Sequence, residues 1–169
     1  PADARVFLDD GRSVKKMYQI RLADRVQVGP GLYSHVFMFS HRQPAVRARF
    51  VAIECDNNLT LTASPGHYVL ANGMLVAAAA LRTGDTMTDA NGAITIVRRI
   101  RSVRKSGLYN PQTVHGTIVV DGLLASTYTV AVPPNAASIL LLPFRWLFYV
   151  GLYSFEAGFL HTKGHSLAK

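Results

Sequence analysis

A single cysteine, Cys55, stands in 169 residues, so neither a disulfide framework nor a cysteine zinc site can be built within this chain. Acidic residues are scarce too: ten Asp and Glu against eighteen Lys and Arg leave a net charge of +8. That imbalance suits an anionic partner or a membrane surface and says nothing about fold. Charged residues make up only 17% of the chain and hydrophobic residues 49%, which excludes a disordered tail, a coiled coil and a low-complexity segment. No Walker loop, Gly-x-Gly-x-x-Gly fingerprint, helix-turn-helix signal or RNA-binding aromatic motif occurs, so neither nucleotide chemistry nor a nucleic-acid partner is expected. His35, His115, His161 and His165 lack the acidic or cysteine-rich setting of a metal site, and no cofactor or metal is expected. Opening on Pro1 without a basic leader or apolar signal core, the sequence reads as a segment of a longer protein, with room for one domain and a small appendage.

What is present is a series of short apolar runs broken by turn residues. Runs rich in Val, Ile, Thr and aromatics predict strands at Arg5–Leu8, Arg25–Val28, His35–Phe39, Phe50–Ile53, Leu59–Thr62, His67–Leu70, Ile94–Val97, Thr117–Val120 and Ser126–Val132. Asn72-Gly73, between Tyr68-Val69-Leu70 and Met74-Leu75-Val76, predicts a hairpin; Asn91-Gly92 and Asp121-Gly122 mark further turns. An internal echo runs through the pattern: Ile20–Val26, with Asp24, matches Leu81–Met87, with Asp85. A strand-like segment follows each at a matching distance, Val36–Phe39 and Val97–Ile100. Two copies of such a unit imply an all-β, pseudo-twofold fold over residues 1–132, each half covering the other's open edge.

Composition changes at Pro133-Pro134, and residues 133–169 read as an apolar, helical extension. The apolar content of Ala136–Phe159 comes near the ~20 predominantly apolar residues that cross a bilayer. Arg145 near its middle would cost about 2.5–3.5 kcal/mol at a membrane centre, and Pro143 would break or kink the helix. A helix lying on a membrane, or an arm cupping a lipid, is expected in place of a span. Phe144, Trp146, Phe148 and Tyr149 line a lipid face in that reading; a packed core helix would use the same residues.

For chemistry, Ser64 and His67 face each other across Pro65-Gly66, which can bring a hydroxyl and an imidazole to one side of a strand–turn–strand connection. The plainer alternative is a turn whose histidine is merely hydrogen-bonded. Arg98, Arg99, Arg101, Arg104 and Lys105 form the densest basic run, suited to phosphates but more commonly a solvated strand. Cys55 falls on a predicted strand, as a buried structural thiol would.

Three ordered blocks carry a resemblance. Pro1–Gly11, Thr62–His67, and Gly107–Pro111 with His115–Tyr128 resemble the Hint domain in the C-terminal autoprocessing part of hedgehog-type proteins, over about residues 1–132. The resemblance implies a Hint-type horseshoe and self-splitting of a precursor. A cysteine at the head of the domain attacks the carbonyl before it to make a thioester, and a sterol, another lipid alcohol or water then releases the upstream segment. By position His67 would protonate the departing amine, with Ser64 orienting the amide in place of the family's Thr and Thr62 opening the block. The nucleophile is not in this chain; the alignment puts it two positions before Pro1, so the isolated segment is expected to be inactive. Thr127 stands where many hedgehog proteins carry a second cysteine, and His41 where they carry an acidic residue that activates the sterol hydroxyl. The partners implied are the covalently attached upstream segment and a sterol or membrane lipid, for a monomer of the secretory pathway, endoplasmic reticulum lumen or extracellular space. Intein-like splicing is disfavoured by the ending Ser166-Leu167-Ala168-Lys169, which lacks the terminal Asn that splicing uses. The rival is a catalytically silent Hint-like binding module that meets membranes through its tail.

Overall fold

The computed structural model describes residues 1–9, 13–130 and 141–151. Eleven strands follow in chain order: β1 Arg5–Phe7, β2 Val14–Lys16, β3 Arg25–Gly29, β4 Leu32–Cys55, β5 Thr60–Ala63, β6 His67–Ala71, β7 Met74–Ala77, β8 Thr86–Thr88, β9 Ile94–Thr113, β10 Thr117–Val120 and β11 Leu123–Thr129. Among the described residues one α-helix, α1, covers Leu142–Tyr149. The strands form one antiparallel path, β2-β1-β10-β11-β6-β8-β9-β4-β3, with β5 added to β4 and β7 to β6.

The internal echo is a structural repeat. The Ala23 N–H donates to Val36 O (2.8 Å) and Val36 N–H to Asp24 O (2.9 Å); in the second copy Gly84 N–H donates to Val97 O (2.9 Å) and Val97 N–H to Asp85 O (2.8 Å). Each aspartate closes its turn by accepting from a backbone N–H, Asp24 from Arg21 and Asp85 from Arg82. The turns need positive φ, +66° at Ala23 and +95° at Gly84. Short 3-10 turns at Met17–Gln19 and Ala78–Ala80 precede them in the same order.

Alternate residues of these strands fill one core. Val6, Ile20, Val26, Ile53, Leu61, Val69, Met87, Val97 and Leu123 are all buried in it. Burying such side chains contributes about 1.5–3 kcal/mol each and fixes strand register, since a one-residue slip would expose the whole set.

One expectation is corrected. The runs at His35–Phe39 and Phe50–Ile53 are not separate strands but parts of the 24-residue β4, paired with the 20-residue β9 along most of its length. Between them lies a two-stranded ribbon whose residues are largely exposed, so no apolar alternation announces it. Pro44 is accommodated where the register shifts between Gln43 and Arg47, a bulge that needs no donor there. Pro143 sits in the first turn of α1, where an N–H has no intrahelical acceptor. Phe148 anchors α1 on Phe37 and Met38 of β4, with Phe144 packed beside it. Arg145 Nη2 donates to the Tyr128 hydroxyl on β11 at 3.0 Å. Among the described residues no helix is long and apolar enough to cross a membrane. Pro133-Pro134 and most of the expected extension lie outside the described residues.

Candidate active site

The N-terminal residues are clamped before they reach the site. Ala2 N–H donates to Ser106 O on β9 (3.0 Å), Tyr18 N–H to Ala2 O (3.2 Å) and Met17 N–H to Ala4 O (2.7 Å). The Asp3 carboxylate meets Lys105 Nζ at 2.6 Å. Gly107 makes room for this passage at φ +80°: a Cβ there would lie 2.7 Å from Ala2 Cβ and 2.6 Å from the Tyr109 ring. Pro1 is thereby delivered, buried, to a cavity of about 50 Å³ that it shares with Thr62, Ser64, His67, Tyr109 and Asn110. That volume holds about one or two waters.

Thr62 is on β5, register-paired with Ala52, and Ser64 follows the strand's end. A β-turn then forms, His67 N–H donating to Ser64 O at 3.0 Å. Proline sets the second turn position and Gly66 is demanded by space, since a Cβ would come within 2.8 Å of Val130 Cγ2. His67 opens β6 and is half-buried. Its Nε2 lies 2.7 Å from Ser126 O. A carbonyl only accepts, so Nε2 carries the hydrogen and Nδ1 is left with the lone pair. Burial pushes the His67 pKa below the ordinary 6.5, against the opposing Ser126 hydrogen bond, so the ring is neutral at physiological pH.

That shift has a stability consequence with a definite sign. The folded chain resists a proton that the unfolded chain accepts, so stability is whole above pH 6.5 and falls as pH drops below it. Urea unfolding of wild type and His67→Phe from pH 7.5 to 5 should show a shallower acid slope in the variant; equal slopes would contradict the shift.

The structure brings Thr62, Ser64 and His67 together, while Thr127 and His41 do not line the cavity. Thr127 is fully buried, its hydroxyl donating to Gly116 O at 3.1 Å. His41 is half-buried on β4, and its cross-strand neighbour Asn110 does line the cavity. Cys55 is buried at the far end of β4, where burial pushes its thiol pKa up and leaves little thiolate, despite a hydrogen bond with Thr95. The four aromatics of the tail divide: Phe144 and Phe148 pack on β4, whereas Trp146 and Tyr149 are 65% and 70% exposed.

A buried polar group beside the cavity escaped the sequence reading. Asn110 Nδ2 donates to Ser40 Oγ (2.8 Å) and Thr127 O (3.2 Å), and Gln112 Nε2 donates to Thr127 O (2.7 Å). These bonds tie β11 to β4 and β9. The signal available was a run of amides, Asn110 and Gln112, inside an otherwise closing strand. Asn110→Ala is expected to cost about 0.5–1.5 kcal/mol, because Ser40 Oγ and Thr127 O each lose one of two amide donors and keep Gln112 Nε2; an unchanged urea midpoint would show the group to be dispensable.

Among the described residues no three His, Cys, Asp or Glu side chains are grouped to hold a metal. The horseshoe of antiparallel strands with a clamped N-terminal segment entering a Ser-His cavity defines a class, and the chain belongs to it: the Hint module family, whose model matches residues 1–168. The chain is 33% identical over 173 residues to Sonic hedgehog protein of Danio rerio, covering 92% of this chain and 41% of that protein. Against Protein hedgehog of Drosophila virilis it is 29% identical over 174 residues, covering 95% and 36%. The chain therefore spans well under half of these relatives. In fold it is similar to the gp41-1 intein, with a TM-score of 0.65 and 12% identity over 74% of this chain and 94% of that one.

Proposed function

We propose that this chain is the autoprocessing part of a hedgehog-type precursor, splitting it at the N-terminal junction through an internal thioester. One observation carries the reading: Pro1 enters the same cavity as Ser64 and His67, and the Ser126 carbonyl leaves the His67 Nδ1 lone pair available. The nucleophile is a cysteine two positions before Pro1. Its thiol gives up a proton to the neutral imidazole, and its sulfur attacks the carbonyl of the preceding residue. The imidazolium returns the proton to the cysteine's own nitrogen as the C–N bond breaks, giving a thioester and a free amine. Ser64 orients the amide, with Thr62 beside it. In the second step a sterol, another lipid alcohol or water attacks the thioester and the thiol leaves, with His41 as the base and Thr127 supporting the site behind it. The extension, with Trp146 and Tyr149 exposed, meets the lipid.

The test uses a precursor carrying a short reporter and a cysteine two positions before Pro1, incubated with dithiothreitol, with cholesterol, or with neither. Intact mass should show reporter released by thiol and, with cholesterol, reporter carrying the sterol's mass. A folded precursor that stays whole under every condition would sink the autoprocessing reading and favour a silent Hint-like binding module.

A further inference from the structure

The basic run on β9 acquires partners that the sequence does not show. Pairing with β4 sets Arg49 directly opposite Arg104, and Arg47 opposite Ser106, so three arginine side chains share one face of the ribbon. All three are exposed, and among the described residues none has a hydrogen bond or ion pair. Their basic neighbours differ: Arg101 is paired with Glu54, and Lys105 with Asp3. Like charges directly opposed across two strands are destabilising unless something neutralises them. Arg47 and Arg104 also flank a cleft with Ala2, Asp3, Lys105 and Ser106, whose one carboxylate is already spent on Lys105.

Beside these arginines the ribbon bulges. Between Gln43 and Arg47 the register shifts, and Pro44, Ala45 and Val46 stand out from it, Val46 being 39% exposed. An apolar projection flanked by unpaired arginines matches an anionic bilayer, where apolar atoms enter the interface and guanidiniums meet phosphates. It does not match a single-stranded nucleic acid, because Gln43–Arg49 and Arg101–Ser106 hold no aromatic ring for a base to stack on.

We propose that the exposed part of the β4–β9 ribbon is a docking surface for anionic phospholipid, with headgroup phosphate held between Arg47, Arg49 and Arg104 and the Pro44–Val46 bulge seated among the headgroups. The surface goes beyond the autoprocessing reading and stands without it. Since Ala2 is hydrogen-bonded to Ser106, docking here would set the Pro1 end of the cavity close to the bilayer.

Co-sedimentation of the full chain with vesicles tests this without any cleavage. Vesicles of phosphatidylcholine with about one-third phosphatidylserine should bind the chain in a salt-dependent way, and phosphatidylcholine alone should bind it far less. The variant Arg47→Gln/Arg49→Gln/Arg104→Gln should lower the partition coefficient about 100-fold, roughly fivefold for each arginine. Val46→Asp should lower it about tenfold, and Arg98→Gln/Arg99→Gln only about twofold. Arg49→Gln alone should also raise the thermal midpoint, because it relieves the opposed pair. Equal binding to both vesicle types, full binding by the triple variant, or an equal loss in the Arg98/Arg99 variant would overturn the proposal. So would tighter binding of duplex DNA than of vesicles at one ionic strength.

Discussion

His67→Ala in the reporter precursor is expected to slow thiol-induced release by about 10²–10⁴-fold, the usual contribution of a positioned general acid or base. The size follows from geometry. One ring nitrogen is committed to the Ser126 carbonyl, so the whole of the proton traffic falls on the other. Burial keeps that nitrogen unprotonated near neutral pH, ready to take the thiol proton and return it to the amine. Ser64→Ala removes the hydrogen bond proposed to orient the junction amide and should cost only about tenfold, with Ser64→Thr restoring most of it. Intact mass against time gives each rate. A His67→Ala precursor that cleaves as fast as wild type, while still folded, would remove the imidazole from the mechanism.

Gly107→Ala is the substitution expected to do most harm to the fold. It combines a left-handed backbone, which costs an L side chain about 1–2 kcal/mol, with a methyl that would overlap both Ala2 and Tyr109. A loss of about 2–4 kcal/mol, or roughly 10 °C in thermal midpoint, is expected by differential scanning calorimetry. Cleavage should fall too, because the displaced Ala2 is the residue that hands Pro1 to the cavity. Gly73→Ala is the comparison: its φ is +74°, yet nothing lies within 4 Å of its added Cβ, so only the backbone strain remains. A Gly107→Ala protein no less stable than Gly73→Ala would show that the close approach to Ala2 carries no weight.

Most of the β fold could be read from the chain because its causes are local. Continuous apolar runs such as Phe50–Ile53 and Thr117–Val120, the Asn72-Gly73 turn, and the Asp24 and Asp85 echo all act through near neighbours. The Ser64–His67 turn belongs with them, since proline and glycine specify it without help. What escaped is what depends on distant pairing. An exposed ribbon has no buried face to imprint a period, so β4 and β9 looked like fragments and the meeting of Arg49 with Arg104 was invisible. Amides such as Asn110 and Gln112 carry no assigned role in the sequence until Ser40 and the Thr127 carbonyl, on other strands, supply their partners. The sequence by itself determined the class of fold and its duplication, because periodicity and turn chemistry are written in consecutive residues. Only the tertiary structure decided which His67 nitrogen is free, that Pro1 shares its cavity, and that Thr127 and His41 do not line it, because each depends on strands that meet only after the sheet has closed.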